Sequence, residues 1–187
     1  MRVLMVSSEA VPYVKTGGLG DVVGSLARAF AENSHHVVLV LPYYRSIRQN
    51  RLNLGLKPAL SPLAVSMGNT TLRCRVWEIS PQKNLHVFFV EYDDFFNRSS
   101  IYDEGSKPYL DNAERYAFLS KAALDLCLKT RFSPEIVHIH DWQTALVSYY
   151  LKSWYWNEPL FRKTASILTI HNMGYQGHSR LEASPFI

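Results

Sequence analysis

Two cysteines in 187 residues are too few for a disulfide-stapled scaffold, and nine glycines with nine prolines exclude a collagen-like or low-complexity chain. Long apolar runs are also missing. Stretches such as Val37 to Leu41 stop far short of the ~18–20 residues needed to cross a bilayer. Lys and Arg never occur three in a row, so the net charge of +4 lacks the basic cluster that nucleic-acid binding needs. The N-terminal MRVLMVSSEA has one basic residue and too short an apolar stretch for a secretion-signal core. Cys74 and Cys127 therefore read as core residues of a reducing compartment, with the cytoplasm as the expected location.

What is present describes a folded domain. Hydrophobic residues make up 47% of the chain and charged ones 19%, which excludes intrinsic disorder. The length suits one domain, and no internal repeat or linker divides it. Arg2 to Ser7 is a short apolar run read as a buried strand, followed by a loop with Pro12 and a glycine cluster. A helical pattern then opens at Asp21, with Val22, Val23, Leu26, Ala27 and Phe30 on its apolar face. Val37 to Leu41 is a second buried strand. Strand, glycine-rich turn, helix and strand in this order open a doubly wound α/β sheet.

Residues 45–62 have weak periodicity and read as loop with a short helix. Thr71 to Ile79 alternates as a half-exposed strand, with Leu72, Cys74 and Val76 opposite Arg73, Arg75 and Trp77. Leu85 to Val90 is fully apolar apart from His86 and reads as buried. The polar, aromatic-bearing connection from Tyr92 to Leu110, about eighteen residues long, exceeds ordinary loops, and such loops are commonly functional or disordered. Asp111 and Glu114 then form a capping-box-like pair at the head of a long helix. Ile136 to His140 reads as a strand, Trp142 to Trp154 as a helix and Ala165 to Ile170 as one more buried strand. The last residues, GHSRLEASPFI, carry no pattern.

Three segments carry candidate chemistry. In Lys15-Thr16-Gly17-Gly18-Leu19-Gly20-Asp21, glycines feed a helix start, where backbone N–H groups and the helix dipole attract an anion and Lys15 can reach the same phosphate. A tight strand-to-helix connection accounts for the glycines as well. The segment is not a P-loop, because Lys15-Thr16 precedes the glycines. Nor is it a dinucleotide fingerprint: Gly18, Gly20 and Gly24 give G-x-G-x-x-x-G, and the second strand ends in Leu41-Pro42-Tyr43-Tyr44 without the acidic residue that binds ribose. That counts against an NAD(P)-dependent oxidoreductase.

In His138-Ile139-His140-Asp141-Trp142, period-two spacing puts both histidines on one strand face. They could ligate a metal, but no third ligand stands nearby in sequence, and core histidines explain them better. Asp141 beside Trp142 suits sugar recognition, with the indole as an apolar platform and the carboxylate accepting hydroxyl hydrogens. An Asp N-cap followed by a core Trp is the alternative. His171-Asn172 likewise leaves a strand at its carboxyl end, where open α/β sheets bind ligands. An ordinary polar loop explains either pair alone, but three strand ends delivering such groups to one edge favour a binding crevice.

Together these blocks resemble the N-terminal domain of bacterial glycogen synthases and plant starch synthases. The family's E-x-x-P-x-x-K-T-G-G-L-G/A-D-V corresponds to Glu9 through Val22, its D-N-x-x-R-F/Y to Asp111 through Tyr116, its H-x-H/N-D-W to His138 through Trp142, and its T-x-H-N-x-x-Y-Q-G to Thr169 through Gly177. The resemblance implies a Rossmann-like, mostly parallel lobe of a two-lobed GT-B glycosyltransferase. Such an enzyme moves glucose from ADP-glucose or UDP-glucose to the non-reducing end of an α-1,4-glucan with retention, without metal or cofactor. Lys15, Gly17 and Gly18 would meet the diphosphate. Asp21 and Asp141 would hold sugar hydroxyls, Trp142 would shape the pocket, His171 would bind the transferred glucosyl unit and Asn172 would support its loop. His171 and Asp141 are the expected catalytic pair. Gln143 stands where some relatives have His.

The resemblance also implies that residues 1–187 are an incomplete N-terminal lobe, without the C-terminal lobe that binds the nucleotide, and inactive alone. A plant source would move the expected location to the plastid. A non-catalytic glucan- or nucleotide-binding module is the alternative function.

Overall fold

A computed structural model of the chain describes residues 1–49 and 51–178. The patternless tail beyond residue 178 lies outside them. The elements are β1 (Arg2–Val6), α1 (Gly18–Glu32), β2 (His36–Pro42), the short helices α2 (Arg45–Gln49) and α3 (Arg51–Leu54), β3 (Lys57–Met67), β4 (Thr70–Gln82) and β5 (Leu85–Glu91). They continue with α4 (Asp93–Phe96), a two-residue hairpin of β6 (Asp103–Glu104) and β7 (Lys107–Pro108), the long α5 (Asn112–Thr130) and β8 (Ile136–His140). Then come α6 (Asp141–Thr144), α7 (Leu146–Ser153), a 3-10 turn at Pro159–Phe161 and β9 (Ala165–Thr169).

One seven-stranded sheet in the order β3-β4-β5-β2-β1-β8-β9 organises these elements. β5, β2, β1, β8 and β9 run parallel, while β4 pairs antiparallel with both β3 and β5. From β1 the chain moves outward through β2, then returns to the other side of β1 as β8. Right-handed crossovers in opposite directions place α1 and α5 on opposite faces. That covering explains why Val3 to Val6 and Val37 to Leu41 are buried at every position rather than alternately. The reversal also makes the gap between β1 and β8 the topological switch point, where such sheets leave a crevice outside their carboxyl ends.

Several expectations change in detail. α1 starts at Gly18, three residues before Asp21, and its buried positions are Leu19, Gly20, Val23, Gly24, Ala27 and Ala31. Val22, expected in the core, is exposed. β3 occupies much of the segment read as loop; it is the sheet's outer strand, with register shifts beside Pro58 and Pro62, and prolines are tolerated where one side of a strand needs no partner. Trp77 is buried although it lies on the arginine face of β4: its ring packs beside Tyr43, with centres 6.0 Å apart, and its indole N–H is satisfied by donating to Glu91 at 2.7 Å.

Asp111 precedes α5 but makes no side-chain cap; its carboxylate takes the Arg98 guanidinium instead. The helix expected from Trp142 to Trp154 breaks at Ala145, where amides bond three residues back (Ala145 to Trp142, Ser148 to Ala145). β9 is the last strand of the described sheet, so Ile167 (48% exposed) and Leu168 are not covered, contrary to the buried strand their composition predicts.

Candidate functional site

At the end of β1 the chain runs through Ser7 and Ser8 into Glu9, whose side chain is only 2% exposed. One Glu9 oxygen accepts the Thr16 hydroxyl at 2.7 Å and the Tyr102 hydroxyl; the other accepts the backbone N–H groups of Thr16 and Gly17. A buried carboxylate thus satisfies the first free amides ahead of α1, where a helix needs acceptors and favours negative charge. Burial raises the Tyr102 pKa well above the usual phenol value, helped by Tyr116 and by the Glu9 carboxylate, so Tyr102 stays a donor.

The glycines of the loop divide by environment. A Cβ at Gly24 would run into the backbone of Val11, and one at Gly20 would press on Val14 and Lys15 at 3.2 Å. These two let α1 pack against the loop before it. Gly17 and Gly18 face open space, with no protein atom within 4 Å of a Cβ position, and both line a cleft of about 770 Å³. Lys15 and Asp21 stand apart from the lining residues and pair with each other at 2.6 Å, each about half exposed.

The opposite wall comes from β8 and β9. Period-two geometry stacks His138 and His140 with ring centres 4.3 Å apart, and His171, just after β9, stacks on His140 at 5.3 Å. His140 Nδ1 lies 3.1 Å from His171 Nε2, and His138 Nε2 lies 2.8 Å from the Thr169 hydroxyl. Burial, then the neighbouring His138 and His171, pushes the His140 pKa down to about 3. Burial followed by His171 lowers that of His138. Among the described residues no cluster of three or more His, Cys, Asp or Glu side chains is placed to hold a metal ion.

Asp141 leaves β8 with φ +57°, a left-handed conformation uncommon outside glycine and most tolerated by Asn and Asp. Its carboxylate is turned to the next strand end and accepts the His171 backbone N–H at 2.6 Å, which ties the ends of the neighbouring strands β8 and β9 together within this wall. The Trp142 ring meets Tyr116 edge-on at 5.3 Å, and Gly177, at φ +67°, packs so close to the indole that a Cβ would collide with it. Asn172 accepts the Gly174 N–H at 2.9 Å and closes the turn after His171. Asp141, Trp142, His171 and Asn172 all line the cleft with Gly17 and Gly18.

The third wall carries residues that motif reading passes over: Ser100, Ile101, Tyr102 and Asp103 from the long connection. Arg115 of α5, fully buried, holds this segment by donating to the backbone oxygens of Phe95 (2.7 Å) and Ile101 (3.0 Å) and to Asn112; Asn112 in turn donates to the Tyr102 carbonyl at 2.9 Å. The loop's unusual length was the sequence signal for it. Glu9, Thr16, Gln143 and Tyr175, from within the motif blocks themselves, also line the cleft.

The starch synthase catalytic domain family matches residues 2–186. Glycogen synthase from Thermodesulfovibrio yellowstonii is 39% identical over 201 aligned positions, which take in all of this chain and 40% of the relative. Glycogen synthase from Syntrophotalea carbinolica is 40% identical over 95% of this chain and 36% of its own length. Among solved structures, the catalytic domain of starch synthase IV from Arabidopsis thaliana, bound to ADP and acarbose, superposes with a TM-score of 0.82 at 28% identity. It covers 97% of this chain and 36% of that one. Sucrose-phosphate synthase from Thermosynechococcus elongatus, at 14% identity and a TM-score of 0.54, shares the fold alone. The chain thus spans little more than a third of the length of these relatives. A family match that runs nearly end to end, on a sheet whose switch point gathers the same motif blocks, makes this chain a member of the starch synthase catalytic domain family.

Proposed function

We propose that the chain is the acceptor-side part of the N-terminal lobe of a retaining glucosyltransferase of glycogen or starch synthesis. The complete enzyme would transfer glucose from ADP-glucose or UDP-glucose to the non-reducing end of an α-1,4-glucan. The observation that carries this reading is the convergence of Gly17 and Gly18, Asp141 and Trp142, and His171 and Asn172 on one cleft at the switch point. Support also comes from the starch synthase IV catalytic domain, whose structure is bound to ADP and acarbose.

In this reading the amide of Gly18 and the ammonium of Lys15 meet the diphosphate, once phosphate oxygens compete with Asp21 for the lysine. Asp21, so released, and the second oxygen of Asp141 accept sugar hydroxyls. The Trp142 indole gives an apolar face to sugar C–H groups. His171 binds the transferred glucosyl unit, and Asn172 keeps its turn closed. The chemistry is positioning and electrostatic stabilisation of a departing diphosphate and an oxocarbenium-like centre, with no protein nucleophile needed from this chain. The second lobe would bind the nucleotide, so residues 1–187 alone would not catalyse transfer. The two cysteines are free and buried, and no described helix is long and apolar enough to cross a membrane. A bacterial cytoplasm fits them, with a plastid as the counterpart in a plant.

The test is glucose incorporation from labelled ADP-glucose into glycogen, by a longer protein carrying this chain with a second lobe and by residues 1–187 alone. The longer protein should elongate glucan and the shorter should not. Elongation by the short chain would overturn the need for a second lobe. Absence of incorporation by the longer protein, or tight NAD(P) binding in place of ADP-glucose, would overturn the transferase reading.

A further inference from the structure

His140 is fully buried behind His171, and its Nε2 has no hydrogen-bond partner among the described residues. Its Nδ1 stands 3.1 Å from His171 Nε2, so one of these two nitrogens donates to the other. Burial between two further imidazoles keeps the His140 ring neutral at physiological pH, with a single proton to place.

Two placements are open. If His171 Nε2–H donates, the His140 proton must sit on Nε2 as a buried N–H without an acceptor. If His140 Nδ1–H donates, Nε2 is left as an unused lone pair. Orphaned buried donors are the rarer outcome in folded proteins, so the second placement is favoured. The flanking contacts hold the geometry. His138 is anchored at the Thr169 hydroxyl on the far side of the stack, and the His171 backbone is fixed by Asp141.

We infer that His140 is a positioning residue: it donates from Nδ1 to His171 Nε2 and so locks His171 in the tautomer with its proton on Nδ1. His171 then presents to the cleft an N–H donor, suited to a sugar oxygen, rather than a lone pair suited to a hydroxyl hydrogen. This use of the donor rests on the function proposed above; the tautomer itself does not. No local signal in H-I-H announces the role, since the acceptor lies 31 residues away on another strand end.

The experiment is long-range ¹H–¹⁵N correlation of the imidazoles in the ¹⁵N-labelled 187-residue chain at neutral to mildly alkaline pH. His171 signals are assigned by their loss in His171→Gln. The expected pattern has His171 protonated at Nδ1, with a pyridine-like Nε2. His140→Asn, whose amide N–H can stand in for Nδ1–H, should preserve it. His140→Asp, which offers only an acceptor, should move the proton to Nε2. An Nε2-protonated His171 in the unmodified chain overturns the inference, as does an unchanged tautomer in a folded His140→Asp variant. If that variant does not fold, the unmodified and His140→Asn spectra decide.

In the longer protein with its second lobe, His140→Asp should lower kcat at least tenfold with little change in the KM for ADP-glucose, while His140→Asn retains most of kcat. Full turnover in His140→Asp together with a moved proton would count against the sugar-binding role of His171 and leave the tautomer assignment standing.

Discussion

Lys15 Nζ, just ahead of α1, lies 2.6 Å from Oδ2 of Asp21 in the helix's first turn, so the cation proposed to meet the diphosphate is paired by the chain itself. Both side chains are about half exposed, and such pairs contribute only ~0–1 kcal/mol to stability. Phosphate can therefore displace Asp21 at little cost. In the longer enzyme, Lys15→Ala should lower turnover by roughly 10²-fold, the scale of losing one electrostatic donor to a developing anion. Its urea midpoint should stay nearly unchanged. Wild-type activity in that variant would rule out a phosphate contact.

The two kinds of glycine in the loop should respond differently to substitution. Gly24→Ala places a methyl against the Val11 backbone and should destabilise the chain by ~1–3 kcal/mol. Gly18→Ala meets no protein atom and should leave stability unchanged or raise it by up to ~1 kcal/mol through helix propensity. If the backbone there meets the diphosphate, Gly18→Ala should nonetheless weaken ADP-glucose binding in the complete enzyme. Paired denaturation and calorimetric titration separate the two effects, and undiminished binding would refute the contact.

His171 lines the cleft while its ring is held from behind by His140 and its amide by Asp141. His171→Ala should cut kcat while leaving ADP affinity nearly intact, because the proposed contact is with the transferred sugar and not the nucleotide. Equal losses in both quantities would argue against that assignment.

Arg115 should be the costliest single position. Its buried guanidinium donates to the Phe95 and Ile101 carbonyls, and leaving a buried acceptor unpaired costs ~1–3 kcal/mol each. Arg115→Met should therefore lower unfolding free energy by about 2–5 kcal/mol, seen as a fall in urea midpoint at constant slope. Tyr102 and the cleft wall it belongs to should loosen with it, read as faster amide exchange across residues 98–110. Unchanged exchange there would show that other contacts hold the loop.

Acid stability follows from His140. Its folded pKa of about 3 lies below the ordinary 6.5, so the unfolded chain binds the proton more readily between these values. The folded state keeps its full margin above pH about 6.5 and loses it progressively down to about 3. The scale is about 1.4 kcal/mol per pH unit for one such group. Urea titrations across this window should show the slope, and His140→Asn should flatten it. An equal slope in that variant would place the effect elsewhere.

Composition and local pattern determined a good deal by themselves. Apolar runs bounded by turn residues marked β1, β2, β5 and β8, and the order of strand, glycine turn and helix gave the doubly wound class. Motif blocks at three strand ends pointed to one edge of the sheet. These features are local in the chain, because strand and helix periodicity and turn chemistry act over a few residues. Burial is not local, which is why β9, apolar in composition, lies exposed at the edge and β3, interrupted by prolines, carries no strand pattern of its own.

Tertiary structure decided which groups in those blocks meet. Folding divided the glycines into two that admit a helix and two that face the cleft, and it turned Asp111 from a helix cap into a partner for Arg98. The long connection became a wall of the site through a hydrogen bond from Tyr102 to Glu9, 93 residues apart, and His171 was set against His140. A buried donor or acceptor must be paired by whatever the fold brings beside it, and that neighbour is chosen by sheet order rather than by sequence distance.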